Sequence, residues 1–154
     1  MGPYTNVYDA TLLADGQMQV NGSLTDSIAY DYNPGIKKIT PPAYGTIVPQ
    51  TQLETVLNKY AGKLGLNKKE TDDLISDSRK QISLPYVFVS FFNQKTSEDI
   101  LPLAFNPKPD NYRNIVFYFK QYSANPSFTP QPPVFPTPLN RSGFTAIEIS
   151  NIVE

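Results

Sequence analysis

Carboxylates are the residues of this chain best suited to acid–base chemistry, because it contains no His and no Cys. Glu70, Asp72 and Asp73 lie close together in the sequence. A glycosidase needs two such groups facing each other across a cleft, about 5–9.5 Å apart. The three residues also follow Asn67 in the pattern of a helix start, where the helix dipole favours acidic side chains. We therefore interpret this cluster as a solvated helix N-terminus.

The missing residue types also exclude several kinds of site. Without His and Cys the chain has no Ser-His-Asp or Cys-His triad, no imidazole or thiolate ligands for zinc, and no disulfide. Thirteen Lys and Arg against 14 Asp and Glu give a net charge of -1, which argues against binding to nucleic acid. We therefore predict a protein that is not an enzyme, with no catalytic residues, no metal site and no cofactor. A carboxylate-based hydrolase is the less favoured alternative.

Aromatic side chains offer a different chemistry, because the chain has 10 Tyr and 9 Phe. Most lie in strand-like runs, where packing in the core is the default expectation. Tyr30 and Tyr32 are among the tyrosines that we expect to be partly exposed. They are the candidate platform for a glycan or small ligand, although the absence of Trp weakens this interpretation.

Residues 124–138 contain six of the 15 prolines. Such a segment must be extended and cannot be a central strand, because proline lacks the N–H that a sheet requires. Two Pro-x-x-Pro patterns within it match ligands that a groove on another protein could bind. Phe128, Val134 and Phe135 are predicted to anchor the segment, which favours a stiff arm crossing the edge of the domain.

Turn and helix signals place these residues on elements. Asp15-Gly16 and Asn21-Gly22 favour type I′ turns, so the first 35 residues or so read as a β-meander. Residues 51–82 are predicted to form an αα-hairpin. Its two helices begin at capping boxes, Thr51 with Glu54 and Asn67 with Glu70, and Gly65 ends the first helix.

Strands return after the helices. Residues 86–92 and 115–119 are apolar on both faces, which is typical of central strands, whereas residues 143–150 alternate like a half-buried strand. Residues 40–49 read as a loop, and Glu98-Asp99 as a polar turn. The sequence therefore predicts one domain over residues 1–154 of class α+β, mainly antiparallel and sandwich-like, with the αα-hairpin and the proline-rich arm.

No run of residues approaches the ~20 apolar positions of a membrane span. No basic and apolar leader follows Met1, so either the protein is used where it is made or a leader has been removed. The true N-terminus is left open.

Several motifs, in the same order and spacing over most of the chain, resemble an uncharacterised family of bacterial secreted or lipoprotein domains. They are Asp15-Gly16-x-Met18, Gly45-x-x-Val48-Pro49, Leu64-Gly65-Leu66-Asn67 with Glu70 and Asp73, Pro85-Tyr86 with Ser90-Phe91, Pro107-x-Pro109-Asp110, and Arg141-x-Gly143-Phe144-Thr145-x-x-Glu148. The resemblance implies a secreted or surface-exposed β-rich domain with an inserted helical hairpin and no catalytic residues.

The chain departs from that family at two places. Ile28–Tyr32 stands where the family has Tyr-Leu-x-Trp-Glu-Gly, and Glu148-Ile149-Ser150 stands where it has Glu-Trp-Gly. Both tryptophans are missing, so a site built on them is altered or absent here, which fits a structural or assembly role.

We therefore expect a non-enzymatic structural or adhesive domain, outside the cell or on a cell or particle surface. It would act through contacts with a protein partner or by self-assembly, including as a homo-oligomer, through the arm and exposed meander strands. The alternative is a glycan- or ligand-binding module.

Overall fold

The computed structural model of this protein describes residues 7–15, 17–30 and 39–154. Contacts between Cα atoms divide the chain into two units, residues 1–35 and residues 36–154. The described residues form three helices and seven strands in two sheets, mostly antiparallel, which confirms the predicted α+β class. That the chain is one domain over residues 1–154 stays a prediction.

The first unit is the predicted β-meander. Its strands are β1 (Ala10–Leu12), β2 (Met18–Val20) and β3 (Ser23–Thr25), paired in the order β1-β2-β3. Asn21 and Gly22 both have positive φ, 49° and 85°, as a type I′ turn requires. Each of these strands has only three residues. No described residue of this unit is buried, so apolar packing does not extend the pairing.

The second unit is built on a four-stranded sheet in the order β4-β5-β6-β7. These strands are β4 (Thr46–Pro49), β5 (Tyr86–Phe91), β6 (Asn111–Tyr122) and β7 (Thr145–Val153). The first two pairings are antiparallel, whereas β6 and β7 are parallel. The predicted central strands β5 and β6 are confirmed. The prediction of a loop over residues 40–49 is wrong for β4. The strand has only four residues and lies among prolines, so the sequence shows no clear strand pattern there.

Two helices, α1 (Leu53–Leu64) and α2 (Lys68–Gln81), confirm the αα-hairpin. Asn67 and Glu70 form the predicted capping box, with N–H···O distances of 2.9 and 2.8 Å. Gly65 ends α1 in a left-handed conformation with φ 85°. The box predicted at Thr51 is wrong: a 3₁₀ turn over Gln50–Gln52 precedes α1 and leaves its N-cap without a side-chain hydrogen bond.

A third helix, α3 (Gln94–Ile100), stands where the sequence indicated a polar turn at Glu98-Asp99, so that prediction is wrong. Its seven residues are too few to show a helical period. The helix covers β6 beyond the end of β5. There the N–H groups of Asn114 and Val116 donate to side-chain oxygens of Gln94 and Ser97, at 3.1 and 3.4 Å.

The sheet has a core on each face. On the first, which we call the helical face, the odd-numbered residues of β5 and β6 pack against α1 and α2. On the second, which we call the groove face, a smaller aromatic cluster contains Phe88, Phe92, Val116 and Tyr118. The two faces set the surroundings of the proline-rich segment.

Candidate functional site

The proline-rich segment is an ordered crossover between β6 and β7. Residues 124–138, all of which the structure describes, form no helix and no strand of the sheet, which confirms the prediction that this segment is not a central strand. Parallel neighbours such as β6 and β7 need a connection of a dozen or more residues. Here that connection passes around the opposite edge of the sheet, from the groove face to the helical face. We call residues 124–138 the proline belt.

On the groove face the belt is held by Phe128. The Phe128 ring lies 6.4 Å from the ring of Phe88 and 6.1 Å from that of Tyr122, in edge-to-face arrangements. Such pairs add about 0.5–1.5 kcal/mol to the burial of their area. Phe128 nevertheless keeps 48% of its surface exposed, so it both anchors the belt and presents a ring to solvent.

At the sheet edge the belt pairs with the segment that leads into β4. Gln131 forms a parallel bridge with Tyr44: its carbonyl accepts from the N–H of Gly45 at 2.9 Å, and its N–H donates to Ala43 at 3.3 Å. Gly45 is required here, because an added Cβ would come within 2.5 Å of the Phe88 ring and of the Val89 carbonyl. The belt is therefore fixed by main-chain bonds where it passes the edge.

On the helical face the belt is held by Phe135. Its ring lies 5.1 Å from that of Tyr60 and 5.3 Å from that of Phe91, and the Lys63 ammonium lies 4.9 Å from its centroid. Farther along, Arg113 of β6 donates to the carbonyl of Thr137 at 2.8 Å. Two predicted anchors, Phe128 and Phe135, thus pack on opposite faces of the sheet.

Between the belt and the segment before β4 lies a groove of about 480 Å³, which we call the aromatic groove. Side chains of two central strands form its floor, and proline-containing segments form its two walls. Its lining consists of Phe88, Tyr118, Lys120 and Tyr122 on the floor, Pro41, Pro42 and Ala43 on one wall, and Phe128, Thr129, Pro130 and Gln131 on the other.

The polar groups of the groove converge on Glu154. The buried Tyr118 hydroxyl donates to a carboxylate oxygen of Glu154 at 2.6 Å, and the Lys120 ammonium lies 3.5 Å from the same oxygen. Burial raises the pKa of Tyr118, and the neighbouring carboxylate raises that pKa further. Tyr118 therefore stays a hydrogen-bond donor at neutral pH, while Lys120, with 44% of its side chain exposed, supplies a cation at the groove.

The other predicted interaction residues lie outside the groove. Val134 is on the belt but is 76% exposed, so the prediction that it anchors the segment is wrong. Tyr30 is partly buried in the meander, where its ring lies 6.2 Å from that of Tyr8, and Tyr32 lies outside the described residues. Sequence reasoning missed Lys120, because only the pairing of β5 with β6 brings the floor residues together. The alternation of Tyr118, Lys120 and Tyr122 along β6 is the signal that predicts their common face.

The candidate acid–base residues do not meet in the groove. Lys68 pairs with Asp72 at 2.6 Å and Lys69 with Asp73 at 2.8 Å, all on the first turns of α2. Among the described residues that line the groove, none is Asp or Glu. Within residues 7–15, 17–30 and 39–154, no three potential ligands cluster in a way that would hold a metal ion.

Comparison with known proteins adds no relative to these observations: no family model, no curated protein and no solved structure matches the chain. The resemblance to a bacterial secreted domain family therefore stays a prediction. No helix in the described part of the chain is long and apolar enough to cross a membrane.

Proposed function

We propose that this protein is a non-enzymatic binding domain, acting outside the cell or on a cell or particle surface, that holds an extended protein segment in its aromatic groove. The observation that carries the proposal is the pair of partly exposed rings, Tyr122 on the floor of the groove and Phe128 on one of its two proline-containing walls. Aromatic surfaces of this kind bind proline-rich segments in the polyproline II conformation, which lose little entropy on binding.

Preorganisation supports the proposal. The two main-chain bonds of Gln131 and the packing of Phe128 fix one wall before any ligand arrives. A groove that is already formed saves the ordering cost that weakens binding by flexible loops. The 480 Å³ of the groove is also within the range of about 300–1,000 Å³ that is typical of ligand sites.

The first experiment measures binding of a labelled proline-rich decamer by fluorescence anisotropy. The control ligand is the same decamer with every proline replaced by alanine. We expect the proline-rich peptide to bind and the alanine peptide to bind more weakly, because only the former is pre-ordered. Equal affinity for the two peptides, or no binding of either, would contradict the proposal.

Variants locate the binding on the protein. Phe128→Ala removes an exposed ring from the wall and should weaken binding by roughly tenfold or more, as expected for an aromatic hot spot. Val134→Ala is the matched control, because Val134 lies on the same belt, is 76% exposed and does not line the groove. Circular dichroism checks that both variants are folded. Equal losses in the two variants would place the binding elsewhere.

A glycan or another small ligand is the second candidate, because the same groove combines exposed rings, hydroxyl groups and a cation. A glycan array would compare Tyr122→Ala with Tyr30→Ala. A loss on Tyr122→Ala alone would assign the ligand to the groove. A loss on Tyr30→Ala alone would assign it to the tyrosine surface that the sequence predicts.

The location of the protein is a separate part of the proposal. It is supported by the resemblance of the motifs to a secreted family, and the sequence of the natural precursor tests it. A secretory leader before these residues would agree with the proposal, and a precursor that starts at Met1 without one would argue against it.

A further inference from the structure

The second edge of the four-stranded sheet is a long strand that pairs on only one of its sides with described residues. β7 comprises nine residues, and its parallel pairing with β6 uses only one of its two sides. On the other side, no described residue donates or accepts a main-chain hydrogen bond. Unpaired edges of this length are templates for pairing with another strand.

The hydrogen bonds of Glu154 show which groups point outward. Its N–H donates to Phe119 at 2.9 Å and its carbonyl accepts from Gln121 at 2.8 Å, so Glu154 faces β6. Main-chain groups alternate in direction along a strand, and therefore the even-numbered residues of β7 face β6. The outward N–H and C=O groups belong to Thr145, Ile147, Ile149, Asn151 and Val153.

These five outward positions are symmetric about Ile149. If two β7 strands pair in antiparallel fashion with Ile149 opposite Ile149, Ile147 meets Asn151 and Thr145 meets Val153. Every outward N–H and C=O of both strands then has a partner, because residues that exchange both bonds face each other directly. A shift by two residues in either direction leaves one outward residue on each strand unpaired.

Charge favours the same register. With Ile149 at the centre, Glu148 of one copy lies opposite Ser150 of the other. A shift by two residues in one direction would instead place Glu148 directly opposite Glu148, and like charges in that position are destabilising.

We propose that β7 pairs with β7 of a second copy of this chain, so that two four-stranded sheets become one eight-stranded sheet about a two-fold axis. An isologous contact of this kind is closed, which limits the assembly to a dimer at this edge. The proposal does not depend on the aromatic groove, because no residue of β7 lines that groove.

Single cysteines test the register, because the natural chain has none. Ile149→Cys places two thiols at positions whose Cα atoms would lie about 5.5 Å apart, within the range for a disulfide. Asn151→Cys is the matched control, because its two copies would lie about 13 Å apart along the strands. With oxidised glutathione, we expect cross-linked dimer from Ile149→Cys and little from Asn151→Cys. Equal or reversed cross-linking would overturn the proposal.

Charge at Ser150 tests the interface without cross-linking. Ser150→Glu places a carboxylate opposite Glu148 twice in the dimer. Sedimentation equilibrium should therefore show a dissociation constant of the dimer that is raised by roughly tenfold. Ser150→Lys, a change of similar size, should tighten the dimer. Adding Glu148→Lys to Ser150→Glu should restore it. A parent chain that stays monomeric at high concentration, or a dimer insensitive to all three variants, would overturn the proposal.

Discussion

The two edges of the four-stranded sheet are treated in opposite ways. β4 has four residues, ends at Pro49, and is preceded by a segment that bonds to Gln131 of the proline belt. β7 has nine residues without proline, and no described residue bonds to its outer side. Natural sheets protect edges by short strands, prolines and covering loops, and this sheet applies all three devices to one edge.

The difference between the two edges indicates which kind of molecule could bind at each of them. Covering the β4 edge leaves a fixed groove between the belt and the segment before β4, which suits an extended ligand. At the β7 edge no described residue bonds to the outward main-chain groups, and these groups suit an added strand. The belt is therefore a structural element first, and deleting it would remove part of the core rather than a separable arm.

The largest effect is expected from Phe135, which holds the belt on the helical face. Phe135→Ala should lower the free energy of unfolding by about 3 kcal/mol, because the ring packs against Tyr60 and Phe91. The neighbouring Val134→Ala should change it by less than about 0.5 kcal/mol, since Val134 is 76% exposed. Urea denaturation measures both. Similar changes in the free energy of unfolding for the two variants would mean that the Phe135 ring does not hold the belt on the helical face.

Gly45 tests the covered edge itself. Gly45→Ala should cost about 2 kcal/mol, because the new Cβ would clash with the Phe88 ring and with the main chain at Val89. Gly62→Ala is the control: nothing lies within 4 Å of its added Cβ, and alanine favours the helix by about 1 kcal/mol. The two glycine variants should thus shift the urea midpoint in opposite directions. A neutral Gly45→Ala would show that the segment before β4 is not held this close to Phe88 and Val89 of β5.

Arg141 lies in the sequence between the belt and β7. Its guanidinium donates to the carbonyl of Gly65 at 3.1 and 2.8 Å and also binds the Glu70 carboxylate, which ties the entry to β7 to the helical hairpin. Arg141→Ala should cost about 1 kcal/mol of stability. Lys80→Ala should cost less, because its pair with Asp77 is largely exposed. Thermal unfolding of the two variants compares these costs, and equal shifts would contradict this role for Arg141.

The smallest effect is the dependence of stability on pH that comes from Tyr112, a residue of β6 beside β7. Burial raises the pKa of Tyr112 to about 12, against an opposing contribution from Asn114, and the carboxylates of Glu98 and Glu148 raise that pKa further. A phenol with a raised folded pKa contributes stability that is complete below pH 10 and is lost as pH rises toward 12.

Stability measured against pH checks this linkage, with tyrosinate absorbance followed in parallel. Tyr112→Phe should reduce the slope of the stability loss above pH 10. Tyr8→Phe, a tyrosine of the meander, serves as the control. An unchanged slope in Tyr112→Phe would show that Tyr112 does not carry the linkage.

Local signals predicted the helical hairpin and the turn at Asn21-Gly22 well, whereas the turn predicted at Asp15-Gly16 includes Gly16, which lies outside the described residues. Asn67, Glu70 and Gly65 act through neighbouring main-chain groups, so their spacing alone predicts the cap and the helix end. The buried strands β5 and β6 were also readable, because each is apolar on both faces. The helix α3 and the strand β4 were missed, since each is short and takes its form from the strands it covers or pairs with.

The candidate site was only partly predictable. Phe128 and Phe135 were expected as anchors from their place among prolines, but nothing in the sequence shows that they pack on opposite faces of one sheet. The groove floor depends on the register of β5 against β6, which pairs Phe88 with Lys120. A register of this kind is decided by packing over long sequence separations.

By itself, the sequence determined which kinds of site are excluded by composition and where the main helices, central strands and turns lie. It supplies no His or Cys, it favours an αα-hairpin and central strands, and it requires an extended segment at residues 124–138. Only the tertiary structure decided that this segment passes around one edge of the sheet, whereas no described residue pairs with the outer side of the other. The physical reason is that propensity and turn chemistry act between neighbours, whereas strand order and edge protection depend on contacts between distant parts of the chain.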